Sequence, residues 1–226
     1  MPEGRLLIGN RRYSSWSLRG WLAVRLAKLD VTIETIRFVR PGPTPEIEDT
    51  SPNKLVPYLE HRGARVWESL AVCEYCAEIE PSLWPEDRVA RAQARSIAAE
   101  MHAGFRGLRQ NMWMNLGRDF AGLGRVPEAL ADIARIEASW ADTRQRFGAG
   151  GPFLFGGVFT AADVMYAPVV TRFLTWRPPL SAVTRAYCDA VRAHPLMTEW
   201  YDAAREEPVD WLVEDYETPP APTRGA

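Results

Sequence analysis

Apolar residues recur along this chain with two different periods, and the change from one to the other divides it. Arg5 to Gly9 holds the short apolar run Leu6, Leu7 and Ile8 and predicts a strand. From Ser17 to Leu29 the spacing turns helical, with Leu18, Trp21, Leu22, Arg25 and Leu26 on one stripe and Asp30 closing the segment. Val31 to Val39 (VTIETIRFV) alternates apolar and polar positions and is rich in β-branched residues, which predicts a second strand. A helix between two strands implies a right-handed crossover with parallel pairing. The stiff PGPTP run at 41–45 predicts a loop, with at most a helical turn following at Glu46 to Asp49. Tyr58 to Trp67, turned by Gly63, predicts an antiparallel hairpin, and Glu68 and Ser69 open a helix from Leu70 to Ile79.

The segment EPSLWPED at 80–87 carries two prolines and precedes a region of wholly helical periodicity, so it predicts a linker. Beyond it the pattern predicts one long helix from Arg88 to Leu116, with Ala98, His102, Phe105 and Arg109 along one stripe. A second helix spans Pro127 to Phe147, and GAGGP breaks the chain. Thr160 and Asp163 have the spacing of a capping box, and their helix runs to about Thr175. Shorter helices are expected at Thr184 to Ala193 and Pro195 to Glu206, and TPPAPTRGA ends the chain as a solvated tail. The organisation is therefore an α/β unit at 1–80, a linker at 81–87 and an all-helical unit at 88–226.

Composition narrows the chemistry. With 226 residues, 46% apolar and 25% charged, the chain has the balance of a soluble globular protein. Acids and bases are interspersed and net charge is -2, so no basic stripe attracts nucleic acid, and a small neutral or amphipathic substrate is expected. No apolar run approaches the roughly 20 residues that span a bilayer. The N-terminal MPEGRLLIGN lacks a signal-peptide core. The expectation is a cytoplasmic protein without membrane or nucleic-acid partners. Cys73, Cys76 and Cys188 are too few for a disulfide framework, and Cys73 and Cys76 lie inside a helical pattern as small apolar residues. His61, His102 and His194 are scattered, and no cluster has metal-ligand spacing, so no metal is expected.

Candidate chemistry concentrates in YSSWSLR at 13–19, between the first strand and first helix. A helix that starts there leaves its first N–H groups unpaired, with the positive end of its dipole behind them, and such a place stabilises an anion. Ser14, Ser15 and Ser17 can cap the helix, or one of them can donate to a bound anion. Ser69 at the second helix start offers the same choice. Val56-Pro57, at a tight entry to a strand, is a place where a cis peptide can occur and would turn the Val56 backbone toward a bound peptide, although from sequence alone the trans form is favoured.

Taken in order, these segments carry a family likeness. The strand-helix-strand, loop, hairpin-helix unit joined to a helical domain resembles the cytosolic glutathione transferase fold over essentially the whole chain. SSWSLR at 14–19 resembles the SSxSxR signature of the zeta class. SPNKLVPYL at 51–59 is similar to the family's NPxxxVPxL, and ESLAVCEYCAE at 68–78 to its (Q/E)SLAIxEYLxE. FTAADVMYAP at 159–168 resembles the capping box of its penultimate core helix. The chain is thus similar to a Ser-type, zeta-like member of bacterial type. The resemblance implies a thioredoxin-like N-terminal domain, an all-α C-terminal bundle, a homodimer, and glutathione as co-substrate without a metal. The implied reaction joins the glutathione thiolate to a small hydrophobic electrophile.

Position by position, the resemblance makes Ser14 the hydroxyl that stabilises the thiolate, with Ser15 as the substitute donor. Val56 would pair through its backbone with the cysteinyl part, Pro57 would be the cis-proline, and Lys54 an added contact. Glu68 would face the γ-glutamyl ammonium, and Ser69 would take its carboxylate. The electrophile is expected between Trp16 and the helix carrying His102, Phe105, Arg109 and Trp113. Trp16 stands where the zeta class has a reactive cysteine, and Leu55 where relatives often have a basic residue or Gln. Two other readings stay open: a glutathione-dependent cis-trans isomerase of the maleylacetoacetate type, and a non-catalytic binding protein that keeps the fold.

Overall fold

Period-two alternation decides how the N-terminal sheet is covered. In the computed structural model, which describes residues 1–219, β1 (Gly4–Gly9) sends Leu6 and Ile8 to one face and Leu7 to the other. β2 (Thr32–Ile36) lies parallel to β1, with Ile33 beside Leu6. β3 (Tyr58–His61) runs antiparallel on its other side, with Leu59 beside Leu6, and β4 (Ala64–Trp67) completes the order β2-β1-β3-β4. β2 is shorter than the alternation over 31–39 predicts. Its register from Thr32 to Ile36 already uses β1 from Arg5 to Gly9, and residues 37–39 have no strand to pair with.

Leu6, Ile8 and Leu59 are covered by α1 (Ser15–Leu26) and α3 (Ser69–Ile79). The other face holds a small cluster of Leu7, Ile36 and Tyr58 with Ile47 from α2 (Pro45–Thr50). α1 starts two residues before the predicted Ser17 because Ser14 is the cap, its hydroxyl accepting from the Ser17 N–H at 3.3 Å. Gly20 lets α1 approach the following loop: a Cβ there would lie 2.6 Å from the Pro57 ring. The Val56-Pro57 bond is cis, as is Arg40-Pro41.

The helical part departs from expectation in one place. Instead of one helix from Arg88 to Leu116, α4 (Arg88–Ala103) stops and α5 (Arg106–Asn111) restarts on a new axis. Phe105 between them adopts the left-handed conformation, φ 58°. The Met101 and His102 carbonyls that a continuing helix would use are taken instead by the Arg109 guanidinium, the latter at 2.9 Å.

α6 (Pro127–Phe147), α7 (Ala161–Trp176), α8 (Ala182–Ala193) and α9 (Pro195–Arg205) complete the bundle. α7 is buried on every side except at Leu174, as a helix apolar all round must be. Its capping box forms: the Asp163 carboxylate accepts from Thr160 N–H at 2.8 Å, Thr160 Oγ1 at 2.9 Å, Leu154 N–H at 3.1 Å and Tyr187 Oη at 2.9 Å. The Arg19 Nε of α1 donates to the Met165 carbonyl at 2.8 Å, tying the sheet unit to this central helix.

After α9 the chain returns to the sheet unit as a strap ending in α10 (Glu214–Glu217). Glu207 accepts from the Arg11 and Arg12 N–H groups at 2.5 and 3.3 Å. Fully buried Asn10 donates to the Trp211 carbonyl at 3.2 Å and accepts from Phe38 N–H at 2.6 Å. Of the expected solvated tail at 218–226, all but Thr218 and Pro219 lies outside the described residues. Among the described residues no helix is long and apolar enough to cross a membrane.

Candidate active site

A cleft of about 980 Å³ opens between the two parts of the chain. Its floor is the turn at the start of α1. Ser14 and Ser15 are nearly buried there, and Trp16 forms one wall. The Ser14 and Ser17 hydroxyls are 2.7 Å apart, and Ser17 Oγ also accepts from Gly9 N–H at 2.9 Å. A hydroxyl is both donor and acceptor. When Ser17 donates to Ser14, the Ser14 proton is free to point into the cleft. Tyr13 cannot take that role, since its hydroxyl donates to Glu217 Oε1 at 2.6 Å and accepts from Val213 N–H at 3.3 Å. Burial, and then that carboxylate, raise the Tyr13 pKa far above its ordinary value.

The N-terminus of α3 forms the opposite side. Glu68 caps it with φ 67°, and Ser69 is 1% exposed, with a hydroxyl that finds no partner among the described residues. Glu68 is held from two directions, by Asn53 Nδ2 at 3.2 Å and by His102 Nε2 at 3.5 Å. Burial, assisted by Arg19 and Arg109 against the pull of Glu68, lowers the His102 pKa, so its imidazole is neutral at pH 7. Val56 and Pro57 line the cleft between the two helix starts. Lys54 lies at the rim, its Nζ 3.8 Å from Glu48, and Leu55 is 60% exposed.

Behind the serines stand three guanidinium groups. Trp16 is sandwiched between Arg19 at 4.5 Å and Arg109 at 4.7 Å, with His102 edge-on at 5.3 Å. Arg172 of α7 donates to Ser15 Oγ at 3.3 Å and to the Pro168 carbonyl at 3.0 Å. None of the three makes an ion pair among the described residues, and buried Arg19 Nη2 and Arg172 Nε have no partner there. Burial first pulls both the Arg19 and Arg172 pKa values down, and then neighbouring guanidinium charge does so, from Arg172 and Arg109 on Arg19 and from Arg109 on Arg172. The site is thus a positive cleft at two helix N-termini, with buried serines at its floor, suited to a small anion or thiolate.

Ser14, Ser15, Trp16, Lys54, Val56, Pro57, Glu68, Ser69, His102, Arg109 and Trp113 all line this one cleft. Phe105 does not. Its left-handed backbone turns the ring into the hydrophobic core, and the residue is 7% exposed. Sequence reasoning missed Asn53, Arg172, Arg40 and Tyr216. Asn53 stands inside the SPNKLVPYL motif, and a lone Arg in the apolar stretch of α7 is a signal for Arg172; nothing in the local pattern marks Tyr216.

Residues 13–79 match the family model described as glutathione S-transferase, N-terminal domain, and residues 91–203 the model for its C-terminal domain. The chain belongs to the glutathione S-transferase family. Its fold is the thioredoxin-like domain plus helical bundle of these transferases. A curated relative described as a probable maleylacetoacetate isomerase, from Caenorhabditis elegans, is 25% identical over 82% of this chain and 90% of its own length. Among solved structures, a glutathione transferase homolog from Burkholderia GL BGR1 with bound glutathione superimposes with a TM-score of 0.69 at 20% identity. That match covers 91% of this transferase and 100% of that chain. The theta class enzyme of Xanthomonas axonopodis pv. citri with glutathione bound gives 0.62 at 24% identity, over 89% and 98% of the two chains.

Proposed function

We propose that this transferase binds glutathione along the cleft and adds its thiolate to a small hydrophobic electrophile. The observation that carries the reading is that Ser14 and Ser69, the latter with a hydroxyl that has no partner among the described residues, line the same cleft, each at a helix N-terminus. Ser69 and the α3 N–H groups take the γ-glutamyl carboxylate, Glu68 faces the ammonium, and the Val56 backbone pairs with the cysteinyl part. Ser14 donates to the sulfur and Ser15 is the substitute donor. The helix dipole and Arg172, which has no ion pair among the described residues, favour the charged thiolate, which is the nucleophile. The thiol proton leaves to solvent and the sulfur lone pair forms the new bond to carbon; in a substitution the leaving group departs with its bonding pair, and in an addition the π pair moves to the neighbouring atom, which takes up a proton. Trp16, Trp113, His102 and Arg109 hold the electrophile. The protein works as a cytoplasmic homodimer in this reading, which light scattering at twice the 25.5 kDa chain mass tests.

The decisive experiment titrates the thiol of bound glutathione by its ultraviolet thiolate band. Ser14→Ala is expected to raise that pKa and lower the rate at neutral pH by one to two decades, for a loss of about 1–3 kcal/mol. An unchanged pKa in Ser14→Ala removes the role.

A second reading is favoured by a specific observation, Arg172 beside Ser15 without an ion pair among the described residues, which suits an acidic substrate. The same thiolate would then add to the cis double bond of a maleyl substrate, rotation would follow about the single bond formed, and elimination would restore the thiolate. Conversion without consumption of glutathione identifies this course; conjugates that accumulate identify the first.

A further inference from the structure

Among the described residues, the strap that follows α9 reaches the cleft at a single side chain, Tyr216. Its ring stacks on Tyr13 at 5.2 Å and leans on Trp113 at 6.5 Å, while its hydroxyl accepts from Arg40 at 3.2 Å. Its carbonyl is held by Trp113 Nε1 at 2.9 Å and Asn115 Nδ2 at 2.8 Å. The next residue is the anchor. Glu217, with 9% of its side chain exposed, accepts from Tyr13 Oη at 2.6 Å, Asn115 Nδ2 at 3.0 Å and Arg118 Nε at 2.5 Å, with Arg12 at 3.8 Å. Burial alone would push this carboxyl up, but these donors outweigh it and hold it below its ordinary value. Such a density of donors on one carboxylate fixes the position of its neighbour.

Tyr216 therefore lines the same cleft as Trp16 and Arg172, where no local pattern announces a wall. We propose that Tyr216 is the outer wall of the electrophile pocket and sets the size of second substrate admitted, with Glu217 clamping it to Tyr13 beside the thiol site. This rests on the transferase reading for the identity of the first substrate, but not for the existence of the wall. A bulky flat aromatic ligand is excluded while Tyr216 keeps its stacked position, and a slim one passes. Glu217 is a positioning residue here, since it meets the ligand only through Tyr216.

The test uses the full chain and two independent probes. Glutathione affinity is measured by calorimetry, and entry into the second pocket by the fluorescence of anilinonaphthalene sulfonate. Turnover is compared for allyl, phenethyl and naphthyl isothiocyanates. Tyr216→Ala is expected to shift the naphthyl-to-allyl ratio of kcat/KM and the dye affinity by about five-fold or more, with the glutathione Kd within about two-fold of the parent. Tyr216→Phe should keep the parent ratio, and Glu217→Gln should move it part of the way with little change for the allyl compound. An unmoved ratio and unmoved dye affinity in a Tyr216→Ala chain that binds glutathione normally overturn the wall. A chain that binds no glutathione yet shows the dye shift overturns the transferase reading and leaves the wall standing. Failure of both measurements overturns both.

Discussion

His102 joins the two halves of the site, because one edge of its ring meets Trp16 and its Nε2 meets Glu68. Its titration has a definite sign. Burial, the largest cause, depresses the folded-state pKa below the ordinary 6.5, so the unfolded chain takes up a proton first as the solution is acidified. The stability linked to this ring is intact above 6.5 and is lost progressively as pH falls from there through the lowered folded-state value. Thermal unfolding from about pH 7.5 to about pH 5.5 should therefore lower the Tm of the parent more than that of His102→Gln. An equal drop in both removes the shift. At this scale much of the site was legible, since Ser14, Glu68 and Ser69 stand in motifs whose place at helix starts follows from the pattern. Arg172 was marked only as a lone Arg in an apolar stretch, and its place in the site was not legible, because its partner there, Ser15, lies 157 residues away. Phe105 was misplaced because helical periodicity was extended through a residue whose backbone is left-handed.

Asp163 shows what holds one element to its neighbours. Four donors converge on a fully buried carboxylate at the start of α7, from the turn before it, from the loop at Leu154 and from α8. Burial raises its pKa, and the hydrogen bonds pull the other way. Asp163→Ala strands these donors and should cost on the order of 3 kcal/mol, read as a fall in urea midpoint without loss of the m-value. A midpoint within error of the parent would mean that the cap is dispensable. This capping box was readable because both partners lie within one turn. The break between α4 and α5 was not, because Arg109 competes for the carbonyls of Met101 and His102 only after the chain has turned back on itself. The shortening of β2 has a similar origin: its ends are set by the length of β1, a partner its own alternation cannot reveal.

For the molecule as a whole, the buried hydroxyl of Ser69 separates folding from binding. With no partner among the described residues, it lends the free chain nothing, whereas a bound carboxylate would give it one. Ser69→Ala should therefore leave the Tm of the free protein unchanged or slightly higher. The same change should abolish most of the Tm rise that millimolar glutathione gives the parent, for a loss of about ten- to hundred-fold in affinity. A variant whose ligand-induced rise equals that of the parent would place the γ-glutamyl end elsewhere.

The contacts of Asn10 bear on when the molecule becomes competent. Asn10 reaches Trp211, Arg11 reaches Glu207, and Tyr13 reaches Glu217, across separations of 201, 196 and 204 residues. These pairings cannot form on the ribosome until nearly the whole polypeptide has emerged, whereas the local helices and the hairpin can. The join between the turn before α1 and the C-terminal strap is thus among the last things assembled, and a nascent or nicked polypeptide carries most of the architecture with the Tyr216 side of the cleft unfinished.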